Sequence, residues 1–83
     1  MTDQDVMAKV VEILRPLAKD ADALTKVNAA TDILSDLRVN SARLVDAILA
    51  FEDEFDIEIA DEDIDSVATV GDAVTLISTK LAA

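Results

Sequence analysis

Apolar residues recur at helical spacing in three stretches of this chain, and the polar residues between the stretches mark where each helix begins. The first stripe is Val6, Val10, Ile13, Leu14 and Leu17, at i, i+4, i+7, i+8 and i+11. Thr2 followed by Asp5 reads as a capping box, which starts a helix near Asp3. Pro16 lacks a backbone donor and crowds the carbonyl of Glu12, so this helix is expected to kink or loosen over Arg15 to Lys19. Those two bases suit a C-terminus. The strongest stripe is Leu44, Ile48, Phe51 and Phe55, with Val45 and Leu49 beside it. Asn40 is a good N-cap type, so a second helix runs from Ser41 to about Asp56. Arg43, Asp46, Ala47, Ala50, Asp53 and Glu54 are assigned to its outward side. A last stripe, Val70, Val74, Ile77 and Leu81, opens with a Thr69–Asp72 cap and ends near Lys80. Gly71, close to the start of that helix, is expected to cost little.

Two connections remain. Residues 20–40 form a long link for a compact domain, and the anchors Val27, Ile33, Leu34 and Leu37 imply local structure within it. Thr31–Asp32 is placed to cap a short helical turn from Ile33 to Leu37. Ile57 and Ile59 alternate with polar residues over too short a run for a strand, and Asp61 to Asp65 reads as a helical turn with Ile64 pointing in.

Composition supports one folded, mostly helical unit. The chain has 83 residues, 52% of them hydrophobic, with one Gly and one Pro, which suits a small bundle and not an acidic disordered tail. Residues 1–83 are therefore expected to form a single domain. With no Cys and no His, a disulfide framework, a thiolate metal site and the commonest zinc ligands are excluded. The start lacks a basic n-region and a small-residue cleavage site, and no run approaches membrane-spanning length, so a soluble, cytoplasmic protein is expected. A monomer is expected as well.

Charge adds a regional signal. Residues 1–43 carry seven acids and six bases, whereas residues 44–79 carry eleven acids and no base, which accounts for nearly all of the net charge of −11. Such a face repels nucleic acid and anionic membrane and steers basic partner surfaces toward it in a salt-sensitive way. It also serves as a solvated face that keeps the protein soluble. Self-repulsion is expected to raise carboxylate pKa values, so that mild acid or divalent ions stabilise the fold.

Two constellations offer chemistry. Asp61, Asp63, Asp65, Val67, Thr69 and Asp72 have the spacing of a calcium loop. Ser66 stands where that loop needs Gly for its sharp turn, and Asp72 where a bidentate Glu belongs, so no metal site is expected. The second is Ser41, in the first turn of the second helix. Its hydroxyl should be exposed beside backbone N–H groups that favour an anion. As a catalytic nucleophile it fails: there is no His base, no GxSxG elbow and no Lys in a recognisable position beside it. No catalytic residues and no enzyme are expected. From the residues alone, Ser41 is an ordinary helix-start serine.

From Asp36 to Ile77 the chain resembles an acyl carrier protein. Asp36–Leu37 is followed by Asn40-Ser41-Ala42, where the family has Asp-Ser-Leu. Leu44, Val45, Asp46, Phe51, Glu52, Asp53, Glu54, Phe55, Asp56, Ile59, Asp61 and Glu62 then follow in the family's order without a gap, and Thr69–Val70 and Ala73 fit as well. The resemblance covers about half the chain with specific matches. It implies an all-α four-helix bundle with a long loop after the first helix and a short third helix. It also implies that Ser41 carries phosphopantetheine, placed there from coenzyme A by a magnesium-dependent phosphopantetheinyl transferase, and that the arm's thiol holds acyl groups as thioesters. Arg43, Asp46, Glu52 and Asp53 occupy partner-binding positions, facing synthase or acyl-transferring enzymes of fatty acid, lipid or related biosynthesis with basic docking surfaces. Arg38, Asn40, Ala42 and Arg43 depart from the family's usual Gly, Asp, Leu and acid, which points to a specialised member. Two other readings remain open on the sequence: an acidic docking module never pantetheinylated, and a carrier of aminoacyl or polyketide intermediates. The interior that would set chain length is expected to involve Val45, Leu49, Ile59, Val67, Ala73 and Val74.

Overall fold

In the computed structural model, which describes residues 2–82, the chain folds as α1 (Asp3–Leu14), α2 (Ala21–Leu24), α3 (Ser41–Phe55), α4 (Asp61–Ile64) and α5 (Val70–Ala82). This is the expected all-α bundle, with the short third helix appearing as α4 and an extra turn, α2, inside the long loop. The capping box of α1 forms as read: Thr2 Oγ1 accepts from Asp5 N–H at 3.2 Å, and the Asp5 carboxylate accepts from Thr2 N–H at 3.3 Å. Val6, Val10 and Leu14 are fully buried. The helix does not kink at Pro16. It stops at Leu14, and the N–H groups of Leu17 and Ala18 both return to the Leu14 carbonyl, so Pro16 sits in a turn where no helical bond is lost. Arg15 is the C-cap and Lys19 lies outside the helix altogether.

Helix α5 runs antiparallel to α1, with Ser78 near its end donating to Asp3 at the start of α1, 2.9 Å away. Two further ties join the helices. Lys9 of α1 meets Glu54 of α3 at 2.9 Å, and Lys80 of α5 meets Asp63 of α4 at 3.0 Å.

The long connection is ordered by local capping. Asp20 caps α2 by accepting from Ala23 N–H. Asp32 caps the predicted turn, its carboxylate accepting from Leu34 and Ser35 N–H at 3.0 and 2.8 Å while its carbonyl takes Asp36 and Leu37 N–H. The segment then clasps the start of α5. Val70 N–H donates to Thr31 O, Gly71 N–H to Ala29 O and Ile33 N–H to Ala68 O, around an isolated antiparallel bridge between Asp32 and Thr69. Two of the donors that a helix start leaves without partners are thereby satisfied. Gly71 is required by this clasp, contrary to the expectation that it is a minor blemish: a Cβ there would lie 2.7 Å from Ala29 O and 3.0 Å from Ala29 Cβ.

The core is aliphatic around Phe51 and Phe55, drawing on Leu44, Ala47, Ile48, Ile59, Val67, Val70, Ala73, Val74 and Ile77. Three assignments change. Ala47 is fully buried, not outward. It precedes Glu54 by two turns on the same edge of α3, the edge that Lys9 shows to face α1, where a small side chain lets the helices approach. Val45 and Leu49 are 48% and 58% exposed, so they do not help size the interior. Leu81 is 39% exposed at the end of α5.

Candidate functional site

The head of α3 is positioned by the three residues before it. Leu37 and Val39 are fully buried, and between them Arg38 takes the left-handed conformation, φ 58°. Asp20 N–H bonds the Leu37 carbonyl and Val39 N–H bonds the Ile33 carbonyl, so both anchors are fixed to the loop. The chain thus turns sharply at Arg38 and enters α3 from a held position. Asn40 then caps the helix, its Oδ1 accepting from Arg43 N–H at 2.8 Å and its carbonyl from Leu44 N–H at 2.9 Å.

Because Asn40 caps, Ser41 is released from that task. It occupies the first helical position, is exposed, and among the described residues its hydroxyl makes no hydrogen bond within the chain. The N–H groups of Ser41 and Ala42 also have no acceptor among the described residues. An exposed hydroxyl beside two free N–H donors at the positive end of a helix dipole accommodates a phosphodiester.

Around α3, the side opposite the buried stripe carries Ala42, Asp46, Leu49 and Asp53, with Arg43 and Val45 at its margins, and all six are exposed. Arg43 reaches Asp46 at 3.6 Å, with both side chains more than half exposed. Glu52 is different from the other acids on the helix. It is half-buried, and its carboxylate accepts from Ile59 N–H at 3.0 Å, while its carbonyl takes the N–H groups of Asp56 and Ile57. With Asp56 in the left-handed conformation, φ 54°, this closes α3 and pins the following loop. Spacing gave no sign of this bond, since it spans seven residues through a loop. The exposed pair Val45 and Leu49, one and two turns below Ser41, was also hidden by its helical spacing relative to the core stripe.

Three acids sit below the ordinary carboxylate range. Backbone and side-chain donation from Ser35 lowers Asp32, hydrogen bonding from Lys80 lowers Asp63, and the backbone N–H of Thr69, then that of Ala68, lowers Asp72. Lys9 is raised by its bond to Glu54. At these positions local donors outweigh the regional repulsion. Among the described residues no cluster of three or more acids is arranged to hold a metal ion, and no helix is long and apolar enough to cross a membrane.

The sequence profile of the phosphopantetheine attachment site family matches residues 8–77. An acyl carrier protein from Exiguobacterium sp. is 38% identical over 82 residues, spanning 98% of this chain and all of that protein. The chain belongs to the acyl carrier protein family. The fold agrees: the thermally stable acyl carrier protein of Enterococcus faecalis superposes with a TM-score of 0.77 at 36% identity, over 96% of this chain and 99% of that one. The protein is accordingly a phosphopantetheine-bearing acyl carrier and not an enzyme, and acyl carrier proteins work with synthase and transferase enzymes. The reading as a docking module without the prosthetic group is set aside.

Proposed function

We propose that Ser41 is the residue that carries the phosphopantetheine, and that residues 1–83 act as a single carrier domain for acyl intermediates of fatty acid or lipid synthesis. The observation that carries this reading is the free, exposed Ser41 hydroxyl at the head of α3, with capping delegated to Asn40. When bound, the prosthetic group supplies a thiol that holds acyl groups as thioesters. The chain's own part is to hold the Ser41 oxygen outward for the transferase, and to offer the α3 head to the phosphodiester through the N–H groups of Ser41 and Ala42. The rigid anchors Leu37 and Val39 keep that oxygen in one place.

Partners are a phosphopantetheinyl transferase and synthase or acyl-transferring enzymes. Their docking surface on this chain is the outward face of α3, with Asp46 and Asp53 facing basic groups, Arg43 at the margin, and Val45 and Leu49 giving an apolar contact beside the attachment point. Glu52 lies outside that exposed face, half-buried with its carboxylate holding the Ile59 N–H, so its part in docking is through its charge and not through direct contact. The carrier acts as a cytoplasmic monomer, in keeping with its net charge of −11, which favours solubility and self-repulsion between copies. Intact mass after incubation with coenzyme A and a broad-specificity transferase tests the reading. The wild type gains one phosphopantetheinyl group and Ser41→Ala gains none; a gain in the variant overturns it.

A further inference from the structure

We propose that the attachment end of α3 is read by a partner enzyme whose active-site entrance presents carboxylates to Arg38 and Arg43, with basic groups further along the helix to meet Asp46, one turn beyond Arg43, and Asp53, about 15 Å beyond it. The inference rests on Ser41 being the attachment residue. Charge along the chain changes sign at this point: residues 37–45 contain two bases and no acid, and residues 46–65 contain ten acids and no base. Both bases, Arg38 and Arg43, are exposed.

They are also available. Lys9 and Lys80 are neutralised at close range by Glu54 and Asp63. Arg38 has no ion-pair partner among the described residues, and Arg43 meets Asp46 only at 3.6 Å, with side chains 59% and 58% exposed. So exposed a pair is worth little, and breaking it for a partner's carboxylate costs little. The backbone at Arg38 is moreover held by the buried residues on both sides of its left-handed turn.

A docking surface that is basic throughout would set like charges against Arg38 and Arg43 at the very point where the arm must enter. A carboxylate-lined entrance removes that repulsion. The two-signed face also fixes register, because a partner that slides along α3 brings like charges together. The face therefore selects against general, uniformly basic partners.

The test uses the full chain, coenzyme A and a broad-specificity phosphopantetheinyl transferase whose entrance rim is basic, beside a transferase variant with one rim Lys or Arg changed to Glu. Modification is followed by intact mass for wild type, R43D and R38G/R43D. The basic-rim enzyme should modify R38G/R43D about tenfold faster than wild type in kcat/KM, the Glu-rim enzyme should reverse that preference, and high salt should shrink both differences. R43D alone, which leaves the left-handed turn untouched, should move in the same direction. Equal rates, or the same order of preference with both enzymes, overturn the inference while leaving Ser41 in place. If no form of the chain is modified by either enzyme, the attachment reading fails and this inference falls with it.

Discussion

Replacing Gly71 with Ala sets two physical effects against each other with opposite signs. Gly71 is the second residue of α5 and has an ordinary helical φ, so intrinsic propensity alone predicts that Ala stabilises by about 0.5–1 kcal/mol. The structure predicts the reverse. The new methyl carbon would sit 2.7 Å from Ala29 O and 3.0 Å from Ala29 Cβ. The contact is with backbone, which cannot swing aside as a flexible side chain would. Relief requires residues 29–31 to move off α5, and that movement weakens the bonds from Gly71 to Ala29 and from Val70 to Thr31, each 2.9 Å. Two such bonds are worth about 1–3 kcal/mol together, and overpacking elsewhere in proteins costs about 1–3 kcal/mol. With the propensity gain subtracted, a net loss of about 1–2 kcal/mol is expected, or a fall in Tm of roughly 4–16 °C for a domain of this size. Thermal and urea unfolding followed by circular dichroism measure it. An Ala variant as stable as wild type or more so would show that the clasp between the loop and α5 does not form as described.

Three further outcomes follow from single residues. Arg38→Gly should stabilise by roughly 0.5–1 kcal/mol by removing the cost of a side chain in the left-handed region, whereas Arg38→Ala should not, and urea midpoints distinguish them. Glu52→Ala leaves the Ile59 N–H without its acceptor, which should cost about 1–2 kcal/mol and speed hydrogen exchange at that amide, while Glu52→Gln keeps the acceptor and should come close to wild type. The Asp72 carboxylate is lowered on folding by the N–H groups of Thr69 and Ala68, so its stabilisation is present above its unfolded pKa and is lost as pH falls through the folded value. The Tm gap between wild type and Asp72→Asn should therefore be widest near neutral pH and close below about pH 4; a gap that widens in acid would contradict the assignment.

Much of the bundle was legible because its stripes are regular and its caps are local. Thr2–Asp5, Asn40 and Thr69–Asp72 all formed as their residue types suggest, each within three or four positions along the chain. What spacing left out depends on neighbours far away in sequence. Small residues carry no periodic signal, so spacing alone assigns Ala47 outward, whereas it is fully buried on the edge of α3 nearest α1. Val45 and Leu49 read from spacing as flanking the core stripe and lining the interior, yet Leu49 lies on the side opposite the stripe and Val45 at the margin of that side, both exposed. Gly71 and Glu52 owe their roles to Ala29 and Ile59, partners that no local pattern names. The one-turn α2 was within reach, since Asp20 before Ala21-Asp22-Ala23-Leu24 is a capped run of helix formers. Position alone makes Ser41 a helix-start serine, and only its neighbours in the family pattern single it out.

The most direct test of the account is the location of the prosthetic group, because the chain contains four serines, Ser35, Ser41, Ser66 and Ser78. Cleavage after Arg38 and Arg43 isolates Ser41 in the peptide Val39–Arg43, while Ser35 falls in residues 27–38, and Ser66 and Ser78 in residues 44–80. Tryptic mapping of the modified protein by mass spectrometry should find one phosphopantetheinyl group on Val39–Arg43, or on the longer peptide left by a missed cut beside it, with fragment ions assigning it to Ser41. The same mass on a peptide without Ser41 would contradict the central claim that the head of α3 is the attachment site.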